Sequence, residues 1–154
     1  MTKSTQSIIH AQIISGLQAK DIFRFKVTGN CMWPWIHKGD WVFIEPFVNK
    51  SELQTGEIVL MDRGTDFVVH RLIGINNSEI ITQGDRSKIP DPPMEREKIL
   101  GKVILIEKSW CRLRLTNPII HCINRIFFCI TSLHRKSYLN TGVRNETYKY
   151  PGSK

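Results

Sequence analysis

The sequence predicts a mostly β domain that has helices only near its two ends. Three observations support this fold class. Short segments alternate apolar and polar side chains, which is the period of a half-buried strand. Turn pairs of Gly, Asp and Asn separate these segments. Apolar residues recur at helical spacing only before residue 21 and after residue 116.

The chain of 154 residues suits one domain with a core and terminal segments. The predicted division is an N-terminal amphipathic helix over residues 1–20, a β domain over 21–106, a C-terminal amphipathic helix region over 107–137, and a basic tail over 138–154 that we expect to be disordered.

The N-terminal helix is predicted from isoleucines at helical spacing, and we expect it to pack on the domain rather than on a membrane. Residues 21–28 follow as a strand that alternates Phe23, Phe25 and Val27 with polar side chains. This strand leads into the turn that organises the chain.

Residues 27–46 read as a strand end, two turns and a new strand. Gly29 and Asn30 form the first turn, so the thiol of Cys31 is expected on a turn. An apolar patch over residues 32–36 follows, and a second turn leads into a strand that begins at Trp41.

The middle of the chain alternates short strands and turns. A turn over residues 62–65 predicts a hairpin, and three prolines exclude helix or central strand from the loop before residue 94. The predicted elements are strands 58–62, 66–75 and 79–82, a loop over 83–93, a connector over 95–100 and a closing strand over 101–106.

The C-terminal helix is predicted from a cap and an apolar stripe. Asn117 is an N-cap residue, and Pro118 suits the first helical position. The stripe indicates a helix of about sixteen residues that could dock on the domain, on a partner or on a membrane. Its members are Ile119, Ile123, Ile126, Ile130 and Leu133.

The net charge of +8 lies entirely in residues 102–154. We expect residues 117–154 to make peripheral contact with an anionic membrane, and the alternative is a solvated tail. Nucleic acid is not favoured as a partner, because no recognition motif is present.

The four cysteines form no CxxC pair, which favours free thiols in a reducing compartment. Polar residues interrupt the apolar run of residues 8–17, and no run reaches the roughly twenty apolar residues of a membrane span. We therefore expect a cytoplasmic or peripheral membrane location. His, Cys and acidic residues lack metal-ligand spacing, so neither a metal nor another cofactor is predicted.

Cys31 and His70 are the candidate nucleophile and base. A thiol on a turn is partly ionised near neutral pH, and histidine titrates in the useful range. The alternatives are a structural cysteine and a structural histidine on a strand. Asp85 and Asp91 are candidates to orient the imidazole.

These residues carry a family resemblance. Gly29-Asn30-Cys31-Met32-Trp33-Pro34, followed by Gly39-Asp40, resembles the nucleophile box of the signal peptidase I superfamily, whose fold LexA-like self-cleaving repressors share. The resemblance covers residues 25–103 and implies a signal-peptidase/LexA-like coiled antiparallel β domain. Cys31 stands where that family has its serine, and typical members carry an N-terminal membrane anchor.

The resemblance also implies roles. His70 falls at the base position of the endoplasmic-reticulum and archaeal type, and Asp91 at the position of its catalytic acid. Asp85 and Arg71 would support the site structurally, and Gly29 stands where some members have a serine that donates to the oxyanion. Side-chain pockets for substrate would involve Met32, Trp33 and Pro34, which could equally belong to the core.

The expected function is therefore a peptidase that cleaves an extended peptide or a signal or leader segment with Cys31 and His70. One alternative is a catalytically degenerate relative that binds peptides or membranes. Another is that Cys31 was introduced in place of a serine to trap a complex.

Overall fold

The computed structural model describes residues 15–16, 21–47, 52–64, 66–76 and 79–142. Most of the predicted N-terminal helix and the tail beyond Gly142 lie outside these residues. Within them, eight strands form one antiparallel sheet. The strands are β1 Phe23–Lys26, β2 Trp41–Pro46, β3 Ile58–Asp62, β4 Phe67–Ile75, β5 Glu79–Gln83, β6 Met94–Glu95, β7 Ile99–Glu107 and β8 Arg112–Arg114.

The strand order is β1-β2-β7-β3-β4-β5-β6, with β8 also paired to β7. Strand β7 is central, because β2 follows one of its edges while β3 and β8 share the other. Strands β3 and β4 form the predicted hairpin, in which Val59 pairs with His70. The mostly β prediction is confirmed.

The core lies on both faces of β3, because successive side chains of a strand point to opposite sides of the sheet. Ile58 and Leu60 belong to one buried cluster, whereas Val59 and Met61 belong to another. The burial of β3 on both faces explains why its sequence is a continuous apolar run rather than an alternation.

Part of the strand pattern differs from the prediction. Strand β7 begins at Ile99, before Gly101, and the short strands β6 and β8 were not predicted. Gly101 permits a close approach inside the strand, since a Cβ there would lie 2.5 Å from the carbonyl oxygen of Glu45. The three residues of β8 are too few to show a period.

Helix α1 spans Pro118–Gly142. The Oδ1 of Asn117 accepts a hydrogen bond of 3.0 Å from the backbone N–H of Ile119, as expected for an N-cap. The helix extends past Leu133, the last residue of the predicted stripe. Its side chains that face the domain are not that stripe: they are Ile120, Asn124, Phe127 and Phe128.

Candidate active site

Cys31 lies on a turn between β1 and β2, and its surface is exposed. The backbone N–H of Lys38 donates to Asn30 Oδ1 over 2.8 Å, and the N–H of Ile36 donates to the carbonyl of Met32 over 3.0 Å. Met32 and Ile36 are buried in the core. The turn is therefore anchored on both sides of Cys31 while the cysteine itself stays accessible.

His70 lies on β4 and pairs with Asp91 from the loop after β5. Its Nδ1 is 2.5 Å from Asp91 Oδ2. Thr82 Oγ1 donates to the same oxygen over 2.7 Å, and Arg63 Nη2 donates to Asp91 Oδ1 over 2.7 Å. These donors fix the carboxylate, and an Nδ1–H bonded to Asp91 leaves Nε2 of His70 for another partner.

Gly84 shows how closely Cys31 and His70 approach. A Cβ at Gly84 would lie 3.1 Å from His70 Nε2, 3.2 Å from Cys31 Cβ and 2.9 Å from the carbonyl oxygen of Cys31. That carbonyl also accepts a 2.9 Å hydrogen bond from the N–H of Arg86. Only glycine leaves room for the cysteine turn and the imidazole to meet here.

The pKa values of His70 and Asp91 reflect this arrangement. Burial lowers the pKa of His70, but hydrogen bonds to Asp91 and Cys31, together with the charges of both groups, outweigh it and raise the pKa from 6.5 to about 9. Burial raises the pKa of Asp91, but the hydrogen bond and charge of His70, with help from Thr82 and Arg63, hold it below its ordinary value.

Arg71, the next residue on β4, makes a separate buried network. Its guanidinium donates to both carboxylate oxygens of Asp85, over 2.7 and 2.6 Å. It also donates over 2.7 Å to the carbonyl of Gly56 and over 2.7 Å to Asn124 Oδ1 on α1. Asp85 directly follows Gly84, so this network fixes the loop that contacts Cys31 and His70.

The other residues predicted from the sequence lie around the turn. Gly29 has open space where a Cβ would project. Trp33 and Pro34 are exposed, whereas Met32 is 2% exposed and belongs to the core, in line with the second interpretation of the apolar patch. Any peptide at this surface therefore meets Trp33 and Pro34 before Met32.

Sequence reasoning did not assign three residues of these networks. Thr82 and Arg63 contact Asp91, and Asn124 contacts Arg71. Asn124 gave a local signal, since it is a polar residue beside apolar positions of a predicted helix. Its partner on a strand more than fifty positions earlier could not be read from local pattern.

The residues that the structure describes contain no group of three or more His, Cys, Asp or Glu side chains that could hold a metal ion. Among these described residues, no helix combines the length and the apolar character needed to cross a membrane.

The antiparallel sheet with one C-terminal helix defines the class of the fold as mostly β. The family model described as Peptidase S24-like matches residues 4–104, and the chain belongs to that family. No curated protein matches the chain.

Proposed function

We propose that the protein is an endopeptidase in which Cys31 is the nucleophile, His70 the base and Asp91 the acid that orients it. The observation that carries this proposal is the series Cys31–His70–Asp91, in which the imidazole bonds to Asp91 through Nδ1 while Nε2 and Cys31 both lie against Gly84. Membership of the Peptidase S24-like family supports the peptidase class.

The raised pKa of His70 suits a thiol nucleophile. Nε2 of the neutral imidazole accepts the thiol proton, which gives a thiolate paired with an imidazolium, and the raised pKa of His70 favours the imidazolium of that pair. The thiolate attacks the peptide carbonyl carbon, and the backbone N–H of Cys31 is a candidate donor to the oxyanion.

Collapse of the tetrahedral intermediate breaks the C–N bond, and His70 gives its proton to the leaving amine. The neutral imidazole then takes a proton from water, whose oxygen attacks the thioester and releases the acid and the Cys31 thiol. Asp91 holds Nδ1–H throughout, so Nε2 always faces the reacting atoms.

The proposed substrate is an extended segment of a peptide or a signal or leader sequence. Strand β1 ends the described sheet and leads through residue 27 to the Cys31 turn, so an added strand beside it would reach the thiol. With Cys31 in the serine position and His70 in the base position, the protein would resemble the endoplasmic-reticulum and archaeal signal peptidases but use a thiol as the nucleophile.

The pH profile of iodoacetamide labelling, read by peptide mass spectrometry, tests the Cys31–His70 pairing. Cys122 and Cys129 are exposed thiols on α1 and serve as internal controls. We expect Cys31 labelling to persist to lower pH than theirs, and His70→Gln to remove that difference. Identical Cys31 profiles in both proteins would overturn the pairing.

Activity is tested separately on an unbiased peptide library. Cys31→Ala should abolish cleavage, because no other group supplies the attacking atom. A protein that shows the labelling profile but cleaves nothing would favour the degenerate peptide-binding alternative.

A further inference from the structure

Helix α1 turns its most apolar face away from the domain. Four isoleucines on that face are exposed by 69, 48, 59 and 58%, and we call them the isoleucine stripe: Ile119, Ile123, Ile126 and Ile130. Their spacings of four, three and four place them along one side of the helix.

Docking through another side of the helix fixes this orientation. Asn124 is 5% exposed and bonds to Arg71, and Phe127 packs edge-on against Trp35 with ring centroids 6.0 Å apart. Phe128 lies against Gly56. Rotating the helix to bury the stripe would break the Asn124–Arg71 hydrogen bond and leave a buried guanidinium short of an acceptor.

All charged residues in the sequence around the stripe are basic. No Asp or Glu occurs from Lys108 to Asn145, whereas five arginines and lysines fall between residues 112 and 136. Arg125 lies on α1 itself and is exposed, although its guanidinium donates over 3.3 Å to the carbonyl of Thr55. A cationic segment with exposed apolar side chains complements an anionic, partly apolar surface.

We propose that α1 is a docking surface for an anionic membrane, with the isoleucine stripe inserted among the acyl chains and the basic side chains on the headgroups. This inference does not depend on the peptidase proposal. A second copy is the weaker occupant, because two such stripes in contact would bring two purely basic segments together.

Co-sedimentation of the full chain with vesicles tests the proposal. One set contains phosphatidylcholine alone, and the other contains phosphatidylcholine mixed with phosphatidylglycerol. We expect binding to the anionic vesicles that weakens with salt, and little binding to the neutral ones. Equal binding to both sets would overturn the proposal.

The test variant replaces two isoleucines of the stripe by serine, and the control replaces one isoleucine of similar exposure outside it. Ile123→Ser with Ile126→Ser should weaken binding by about tenfold or more, because apolar insertion is lost. Ile89→Ser, at an isoleucine 55% exposed in the loop after β5, should leave binding unchanged. Circular dichroism checks that each variant is folded.

Two further outcomes overturn the membrane assignment. One is equal loss of binding in the Ile89 variant and the stripe variant. The other is a dimer, seen by analytical ultracentrifugation without vesicles, that becomes a monomer when Ile123 and Ile126 are replaced; the stripe would then be a self-association surface.

Discussion

His70 and Arg71 are consecutive on β4, and each binds an aspartate from the loop after β5, but the two pairs have different surroundings. Arg71 and Asp85 have side chains that are 0% exposed, whereas those of His70 and Asp91 are 10% and 14% exposed. Arg71 is further bonded to Gly56 and to α1. His70 instead faces the exposed Cys31.

The comparison separates a pair that holds structure from a pair that can exchange protons. The buried guanidinium of Arg71 makes four hydrogen bonds to fixed acceptors, so it ties the loop to the sheet and to the helix. A partly exposed imidazole with one nitrogen free of the carboxylate can accept and return a proton. Adjacent positions on one strand thus have two different roles, one in holding the structure and one in proton exchange.

The largest expected effect is on stability, from Asp85→Asn. Removing one charge of a buried pair leaves the other uncompensated, which costs about 3–5 kcal/mol of unfolding free energy. Asp91→Asn should cost clearly less, since its pair is partly exposed. Urea unfolding measures both, and equal losses would remove the distinction between the pairs.

The second effect is the pH dependence that His70 gives to stability above pH 6.5. Its pKa is raised on folding from 6.5 to about 9, so the stabilisation is complete below pH 6.5 and is lost as the pH rises through about 9. Since a pKa unit is worth about 1.4 kcal/mol, the loss is on the order of 3 kcal/mol.

Unfolding curves at a series of pH values check this slope. His70→Gln should be less stable than the wild type at pH 6 but should lack the decline between pH 6.5 and 9. A wild-type stability that stays constant over that interval would contradict the raised pKa.

The third effect is on catalysis, from Asp91→Asn. An amide in place of the carboxylate no longer stabilises the imidazolium or fixes its tautomer, so the rate of peptide cleavage should fall roughly 10²-fold. Arg63→Gln is the matched control, because it removes a neighbour of Asp91 and keeps the His70–Asp91 bond. Comparable losses in both variants would argue against a direct role for Asp91.

The smallest effect concerns the link from the buried pair to α1. Asn124→Ala removes an acceptor from Arg71 and should lower the unfolding free energy by about 1–2 kcal/mol. Ile123→Ala, at the neighbouring exposed position, should change it by less than about 0.5 kcal/mol. Thermal unfolding of the two variants makes the comparison, and a reversed order would mean that α1 docks through its other face.

The parts of the fold that are local in sequence could be predicted. The β3–β4 hairpin followed from a turn between two apolar runs, and the start of α1 followed from Asn117 and Pro118. The docked face of α1 could not be predicted from apolar spacing. It is selected by Asn124, because the buried guanidinium of Arg71 needs a polar partner.

The candidate site was predicted by resemblance rather than by periodicity. Cys31, His70 and Asp91 come from a turn, a strand and a loop whose meeting depends on strand order and on a missing side chain at Gly84. The contacts of Thr82 and Arg63 with Asp91 depend on the same geometry and could not be predicted from the sequence. The site combines segments that are far apart in the chain, and patterns within a single sequence do not show which distant segments will meet.

The burial of β3 on both faces has a consequence for strand alignment. When only one side of a strand is apolar, a shift of its pairing by one residue is unfavourable, because the polar side chains would then enter the core. The residues of β3 from Ile58 to Met61 carry no such information. His70 and Arg71 supply it on the neighbouring strand, since a shift by one position would present the guanidinium towards Cys31 and the imidazole towards α1. Correct alignment of the hairpin is thus a condition for assembly of the candidate site.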